Sequence, residues 1–191
     1  MDAAFTPPFV TSPIVEIPVH LDAWIRDIVR RSDFDERFGL SHGPKEYLPI
    51  APMFAKLHSL SAGTIDLYTA RGRVAAHRDG AGDTYGLVLI ADNGHDLFVG
   101  SRPVDRDPAL KNLAPGSVYH LDSNEDHGTS CRGDGENDLL AVLTLDFYSR
   151  SPTLPYEDFA AEALAALERG YAKEATSETG MQSLTTSREE R

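Results

Sequence analysis

Three times in this chain a histidine and an aspartate stand two residues apart: His20-Leu21-Asp22, His77-Arg78-Asp79 and His120-Leu121-Asp122. Imidazole nitrogens and carboxylate oxygens are donors for divalent transition metals. On a β-strand, residues i and i+2 leave the same face, so such a pair can reach one point while the residue between them turns away. With 7 His and 18 Asp among 191 residues, composition alone supplies about 0.7 such triplets, so their surroundings must tell them apart. His20-Leu21-Asp22 lies at a helix start, where Asp22 has a sufficient role as N-cap. His120-Leu121-Asp122 falls in a strand, and the only later histidine, His127, is too near in sequence to come from another part of a barrel. His77-Arg78-Asp79 differs. It ends an apolar run, Gly80-Ala81-Gly82 then turns the chain, and His127 follows 50 residues later, an interval long enough for four strands.

The elements that would position these residues are mostly strands. Between residues 64 and 148 short apolar runs are broken by Gly, Asp and Asn, at 64–69, 73–77, 85–91, 96–100, 117–121, 128–131 and 138–148. Their lengths and punctuation are those of strands and turns. So many strands with no room for crossover helices predict an antiparallel sandwich or jelly roll, with 101–115 as a loop over one mouth. Upstream, Pro7, Pro8, Pro13 and Pro18 suit an extended edge segment. Trp24, Ile25, Ile28 and Val29 at helical spacing predict a helix over 23–31, and the stretch 32–52 is rich in turn formers. Downstream, Pro155, Glu157 and Asp158 open a helix whose apolar stripe is Phe159, Ala163, Leu164, Leu167 and Tyr171, with Gly170 as its stop. From 173 to 191 no apolar periodicity remains, which predicts a disordered tail after a single domain over 1–172.

The pieces from Thr64 to Tyr148 resemble, in order and spacing, the double-stranded β-helix core of the iron(II)- and 2-oxoglutarate-dependent oxygenases, in particular the prolyl-hydroxylase-like group. The matching pieces are Asp66-Leu67-Tyr68 before Gly72, then Ala75-Ala76-His77-Arg78-Asp79 and Tyr85-Gly86-Leu87-Val88-Leu89-Ile90. Gly116-Ser117-Val118-Tyr119, His127-Gly128 and Leu143-Thr144-Leu145-Asp146-Phe147 complete them. The resemblance implies a mainly β, jelly-roll or cupin-like fold with flanking N- and C-terminal helices. It implies that His77, Asp79 and His127 hold Fe(II), leaving positions open for 2-oxoglutarate and O2. The implied reaction is decarboxylation of 2-oxoglutarate to succinate coupled to hydroxylation or desaturation of a substrate C–H bond.

One part of the family pattern is missing. Where the family places the base that holds the distal carboxylate of 2-oxoglutarate, this chain has Glu136, Asn137 and Asp138. Arg132 is the nearest substitute, although alternation from an inward His127 turns it outward unless the Gly133-Asp134-Gly135 hairpin carries a bulge. Arg102 is next, followed by Arg150 and Lys56. Tyr68 matches a cosubstrate-contacting tyrosine of the family. His120 and Asp122 are candidates for orienting a ligand or for plain rim residues, and Cys131 reads as a packed side chain.

With 18 Lys+Arg against 30 Asp+Glu the net charge is -12, which opposes binding to a phosphate backbone. A single cysteine forms no internal disulfide, and no apolar run is long enough for a membrane span. The expectation is a cytoplasmic protein acting on a small-molecule or peptidyl substrate, with no nucleic-acid or membrane partner. Two other readings fit the same residues: a cupin-like metal enzyme that does not use 2-oxoglutarate, and a non-catalytic binding barrel.

Overall fold

The computed structural model describes residues 9–31, 41–42, 46–60, 62–80, 82–100, 110–133, 138–147 and 154–189. Eleven strands and three helices lie in this part of the chain. They are β1 (Phe9–Val10), α1 (Val19–Arg31), β2 (Ser41–His42), β3 (Glu46–Pro49), α2 (Pro52–Leu57), β4 (Thr64–Arg71), β5 (Val74–His77), β6 (Asp83–Ala91), β7 (His95–Val99), β8 (Lys111–Leu113), β9 (Val118–Asp122), β10 (His127–Cys131), β11 (Leu139–Asp146) and α3 (Tyr156–Glu189).

All pairings are antiparallel. The larger sheet runs β1-β9-β6-β11-β4-β2, with β3 also on β4, and the smaller runs β5-β10-β7-β8. Strands β4 to β11 thus pass back and forth between two facing sheets, with β7 and β8 consecutive in the smaller one, as a double-stranded β-helix, the jelly-roll architecture that the strand pattern predicts.

Strands β6 and β11 are apolar along almost their whole length because both of their faces are covered. One face of the large sheet presents Ile65, Leu67, Leu87, Leu89, Leu143 and Leu145 to α1 and α3, which return Leu21, Ile25, Ile28, Phe159, Ala163 and Leu167. The other face meets the small sheet through Val88, Tyr119, Leu121, Leu140 and Val142 against Leu97, Val99 and Leu113. The inter-sheet layer is apolar toward one end and opens into a cavity at the other.

Several expectations change. Helix α1 begins at Val19, so Asp22 is inside its first turn rather than at the cap. Its carboxylate takes Arg26 Nε at 2.9 Å, and Arg26 also bridges to Asp92 at 2.7 and 2.9 Å, tying the helix to the β6–β7 turn. The 32–52 stretch supplies β2 and β3, and β8 lies within the region read as an uninterrupted loop. Helix α3 does not stop at Gly170. There, a Cβ would come within 2.8 Å of Leu48 Cδ2 and 3.2 Å of Trp24 Cη2, so the glycine allows close packing inside the helix. Beyond it Glu174 accepts the Trp24 indole N–H at 2.8 Å and Arg31 at 2.7 Å. These partners hold the helix at Glu174, and the backbone is helical to Glu189.

The pairing of β5 with β10 is irregular. His127 faces His77 and Thr129 faces Val74, so Ala75 and Ala76 together oppose Gly128, a β-bulge on the strand that carries the first His-x-Asp pair. Gly128 lies tight against that bulge: a Cβ there would be 2.5 Å from the Val74 carbonyl oxygen and 2.7 Å from Phe98 Cζ. Gly128→Ala should therefore destabilise the fold by about 1–3 kcal/mol, checked by denaturant unfolding. It should also weaken metal binding, checked by Mn(II) titration, because the strand it displaces begins with His127.

Candidate metal centre

His77, Asp79 and His127 come together at the cavity, with ligand atoms all within 4.8 Å of one another. Their positions follow from the backbone. His77 is the last residue of β5, His127 is the first of β10, and the two are register partners. Asp79 sits where the chain leaves β5 for the turn at Gly80, whose φ is +69°. That turn is clamped to the β9–β10 connection: Asp79 N–H donates to the Ser123 carbonyl at 3.1 Å, and Ser123 N–H and Oγ–H both donate to the Gly82 carbonyl at 2.8 Å. Arg78 turns outward, as strand alternation requires, and grips Asp126 at 2.7 and 3.3 Å. The residue between the two candidate ligands thus ties together the two turns that carry the cluster.

Each imidazole is oriented in the same way. His77 Nδ1 donates to the Ala75 carbonyl at 2.8 Å, and His127 Nδ1 to the Glu125 carbonyl at 2.9 Å, in both cases two residues upstream. With Nδ1 held, Nε2 of each ring points at Asp79, at 3.3 Å from His77 to Oδ1 and 3.1 Å from His127 to Oδ2. A hydrogen bond on the far ring nitrogen is what fixes the tautomer and aim of a metal-ligating histidine. Burial pushes the Asp79 carboxyl upward, but the hydrogen bonds from His127 and His77 outweigh it and hold the group well below the usual carboxylate range. The hydrogen bond to Asp79 raises His77, against a smaller opposing effect of burial.

The cavity behind the cluster measures about 310 Å³. Tyr68, Thr84, Tyr119, Thr129, Thr144 and Asp146 supply its other polar groups, and Leu97, Leu113, Leu121, Leu140 and Val142 its apolar wall. Thr84 Oγ–H donates to Asp146 Oδ1 at 2.6 Å. No Lys or Arg is among the described residues that line it. Tyr68 lines the cavity, with burial first and Asp79 second pushing its phenol pKa upward.

Arg132 is not brought to the cavity. It follows β10 on the outside and pairs with Asp96 at 3.3 Å, because alternation from His127 is unbroken along β10 up to Cys131. Arg102 and Arg150 lie outside the described residues, as do Glu136 and Asn137, and Lys56 is exposed on α2. Asp138, at the place where the family puts its base, is fully buried and accepts a hydrogen bond from Asn93. His120 faces away from the cavity, stacked on Tyr85 with centroids 4.2 Å apart, and Asp122 accepts from Asn124 in a local turn. Neither orients a ligand of the cluster. Cys131 is partly buried, and burial together with Asp138 pushes its thiol pKa up.

Sequence reasoning passed over Tyr119, Thr84, Thr144 and Asp146. The signal for the first was Gly86, a glycine inside an otherwise apolar strand, which marks a close approach.

No protein-family model matches the sequence, and no curated protein matches it either. Solved structures of similar architecture include an oxidoreductase of the 2OG-Fe(II) oxygenase family from Burkholderia pseudomallei, 11% identical, with a TM-score of 0.44, covering 73% of this chain and 82% of that one. A cupin superfamily protein from Desulfitobacterium hafniense is 15% identical, with a TM-score of 0.31 over 44% of this chain and 65% of that one. Oxalate decarboxylase from Bacillus subtilis is 14% identical, with a TM-score of 0.39 over 65% of this chain and 30% of that one. Likeness at this distance carries no information about chemistry.

His77→Ala, Asp79→Ala and His127→Ala should each abolish stoichiometric binding of Mn(II) or Fe(II), measured by calorimetry, while the far-ultraviolet circular dichroism stays that of the parent. In the metal-free protein the raised His77 adds stability that is fully present below its unfolded pKa and is lost as pH rises through the higher folded value. The melting-temperature difference between the parent and His77→Gln should accordingly shrink from pH 6 to pH 8.

Proposed function

We propose that this protein is an Fe(II)- and 2-oxoglutarate-dependent dioxygenase that hydroxylates or desaturates a small-molecule or amino-acid-like substrate. The observation that carries the reading is the convergence of two backbone-locked imidazoles and one carboxylate at the edge of a partly open, partly apolar cavity. Two His and one Asp on one face are the donor set of non-haem Fe(II) oxygenases. Bound there, the iron would supply activation of O2 coupled to oxidative decarboxylation of the 2-oxo acid.

The chain's own contribution is positional. His77 and His127 present Nε2 lone pairs once a divalent cation takes the place of the protons they share with Asp79, and Asp79 supplies the charge that retains the cation. Leu97, Leu113, Leu121, Leu140 and Val142 give the cavity an apolar wall. A volume of about 310 Å³ is at the small end of ligand sites, which favours a compact metabolite over a peptide segment. The acidic net charge argues against a nucleic-acid substrate, and among the described residues no helix is long and apolar enough to cross a membrane.

A second reading, a cupin-like metal enzyme that does not use 2-oxoglutarate, is favoured by one observation: the absence of Lys and Arg from the described cavity lining. Anaerobic addition of Fe(II) and 2-oxoglutarate separates the two. The dioxygenase reading expects a visible metal-to-ligand charge-transfer band that is lost on admitting O2, with stoichiometric succinate. Metal binding without band or succinate would overturn it in favour of the second reading, and no metal binding would leave a non-catalytic barrel. Arg132→Ala should leave the 2-oxoglutarate requirement unchanged, measured as the concentration giving half-maximal succinate, because its guanidinium is engaged with Asp96 on the outer surface.

A further inference from the structure

Past the last rung of β5 and β10 the two segments stay joined by side chains. His77 and His127 are register partners, and carrying the antiparallel register one step further sets Arg78 opposite Asp126. Residues directly opposite on one face of such a pair are close enough to interact. The Arg78 guanidinium meets the Asp126 carboxylate through Nε at 2.7 Å and through a second nitrogen at 3.3 Å. This pair takes the outward face, whereas His77, Asp79 and His127 converge on the inward one, so it stands on the far side of the backbone from the ligand atoms.

What the pair holds is a stretch of backbone with little stiffness of its own. Gly80, with φ +69°, and Gly82 belong to the turn that follows Asp79, and glycine leaves the backbone the most freedom to bend. The ladder of β5 ends at His77. Asp79, the ligand beyond it, is therefore fixed by its own N–H, which donates to the Ser123 carbonyl at 3.1 Å, and by Arg78 beside it. The other end of the ion pair is a firm post. The Asp126 carbonyl accepts the Gly100 N–H, which ties this turn to the end of β7, and the His127 imidazole donates to the Glu125 carbonyl at 2.9 Å. One short turn, residues 123–126, thus supports both sides of the cluster: Ser123 and Asp126 the Asp79 side, Glu125 the His127 side.

We propose that Arg78 and Asp126 are positioning residues of the metal centre, their ion pair setting how tightly the three ligands close on a divalent cation. The inference rests on the cluster binding a metal, whichever cosubstrate it uses. Charges acting on the cation through space would leave a different signature. The Arg78 guanidinium repels a metal and the Asp126 carboxylate attracts it, so removing each would move affinity in opposite directions. A positioning pair loses the same contact whichever partner is removed. Both substitutions then weaken binding.

Calorimetric titration with Mn(II) measures this without reliance on activity. Arg78→Ala and Asp126→Ala should each weaken Mn(II) binding about two- to fivefold, the scale of one solvent-exposed ion pair. The double variant should bind no more weakly than either single one, because all three lack the same contact. Loaded with Co(II), the variants should show visible ligand-field bands that differ from those of the parent, which a pair serving only the fold would leave unchanged. Opposite signs for the two substitutions, a loss in only one of them, additive losses in the double variant, or unaltered Co(II) bands would each overturn the inference and leave the metal centre in place. A parent protein that binds no Mn(II) would overturn the metal-centre reading, and the inference with it.

Discussion

Fifty residues of chain separate His77 from His127, and the antiparallel pairing of β5 with β10 closes that distance. Everything at the site depends on that pairing. It sets the two imidazoles opposite one another with centroids 4.6 Å apart. The bulge at Ala75-Ala76 bends β5 so that His77 and Asp79 both reach the point that His127 faces, and Gly128 is small enough to lie against the bulge. A regular ladder would keep strict alternation through 74–77, and the pair at 77 and 79 would meet β10 at a different angle. Arg78–Asp126 and the Ser123–Gly82 bonds then hold the turns at the end of this pairing.

Charge is handled locally rather than globally. A net charge of -12 suggests a surface dominated by acids, but many of these carboxylates have defined structural partners: Asp92 with Arg26, Asp126 with Arg78, Asp96 with Arg132, Asp138 with Asn93 and Asp122 with Asn124. Three arginines are used in this way, Arg26 on α1 and Arg78 and Arg132 just past strand ends, all outside the barrel. This leaves the described cavity wall with hydroxyls as its donors. The wall's polarity is therefore set by which residues alternate inward on β4, β6, β9 and β11, and the overall charge says little about it.

The barrel was legible in the sequence because the strands are short, bounded by turn residues and too close together for crossover helices. The pair His77 and Asp79 stood out because its period-2 spacing is visible in one dimension. What failed to read through were features created by contact between distant segments. Gly170 looks like a helix stop until Leu48 and Trp24 are seen against it, and the helix beyond is held by Trp24 and Arg31, some 150 residues away, through Glu174. Asp22 looks like a cap until Arg26 is seen to need it. Arg132 is near His127 in sequence, but unbroken alternation along β10 turns it outward to Asp96. Tyr119 was passed over for His120 beside it, because nothing in one dimension says which of two adjacent strand residues faces in; the answer lay 33 positions upstream, in Gly86.

The cluster's hydrogen bonds bear on how folding and metal binding are related. In zinc-finger-like domains the ligands have no other partners, so the ion supplies the folding energy. Here His77 and His127 are held by carbonyls of their own chain, Asp79 by Ser123 through its backbone and by both rings through its side chain, and the core on either face of β6 and β11 is built without the site. The donor set is thus assembled by the fold before an ion enters. A cation bound there would meet donors already in position, and the barrel's core is built without it.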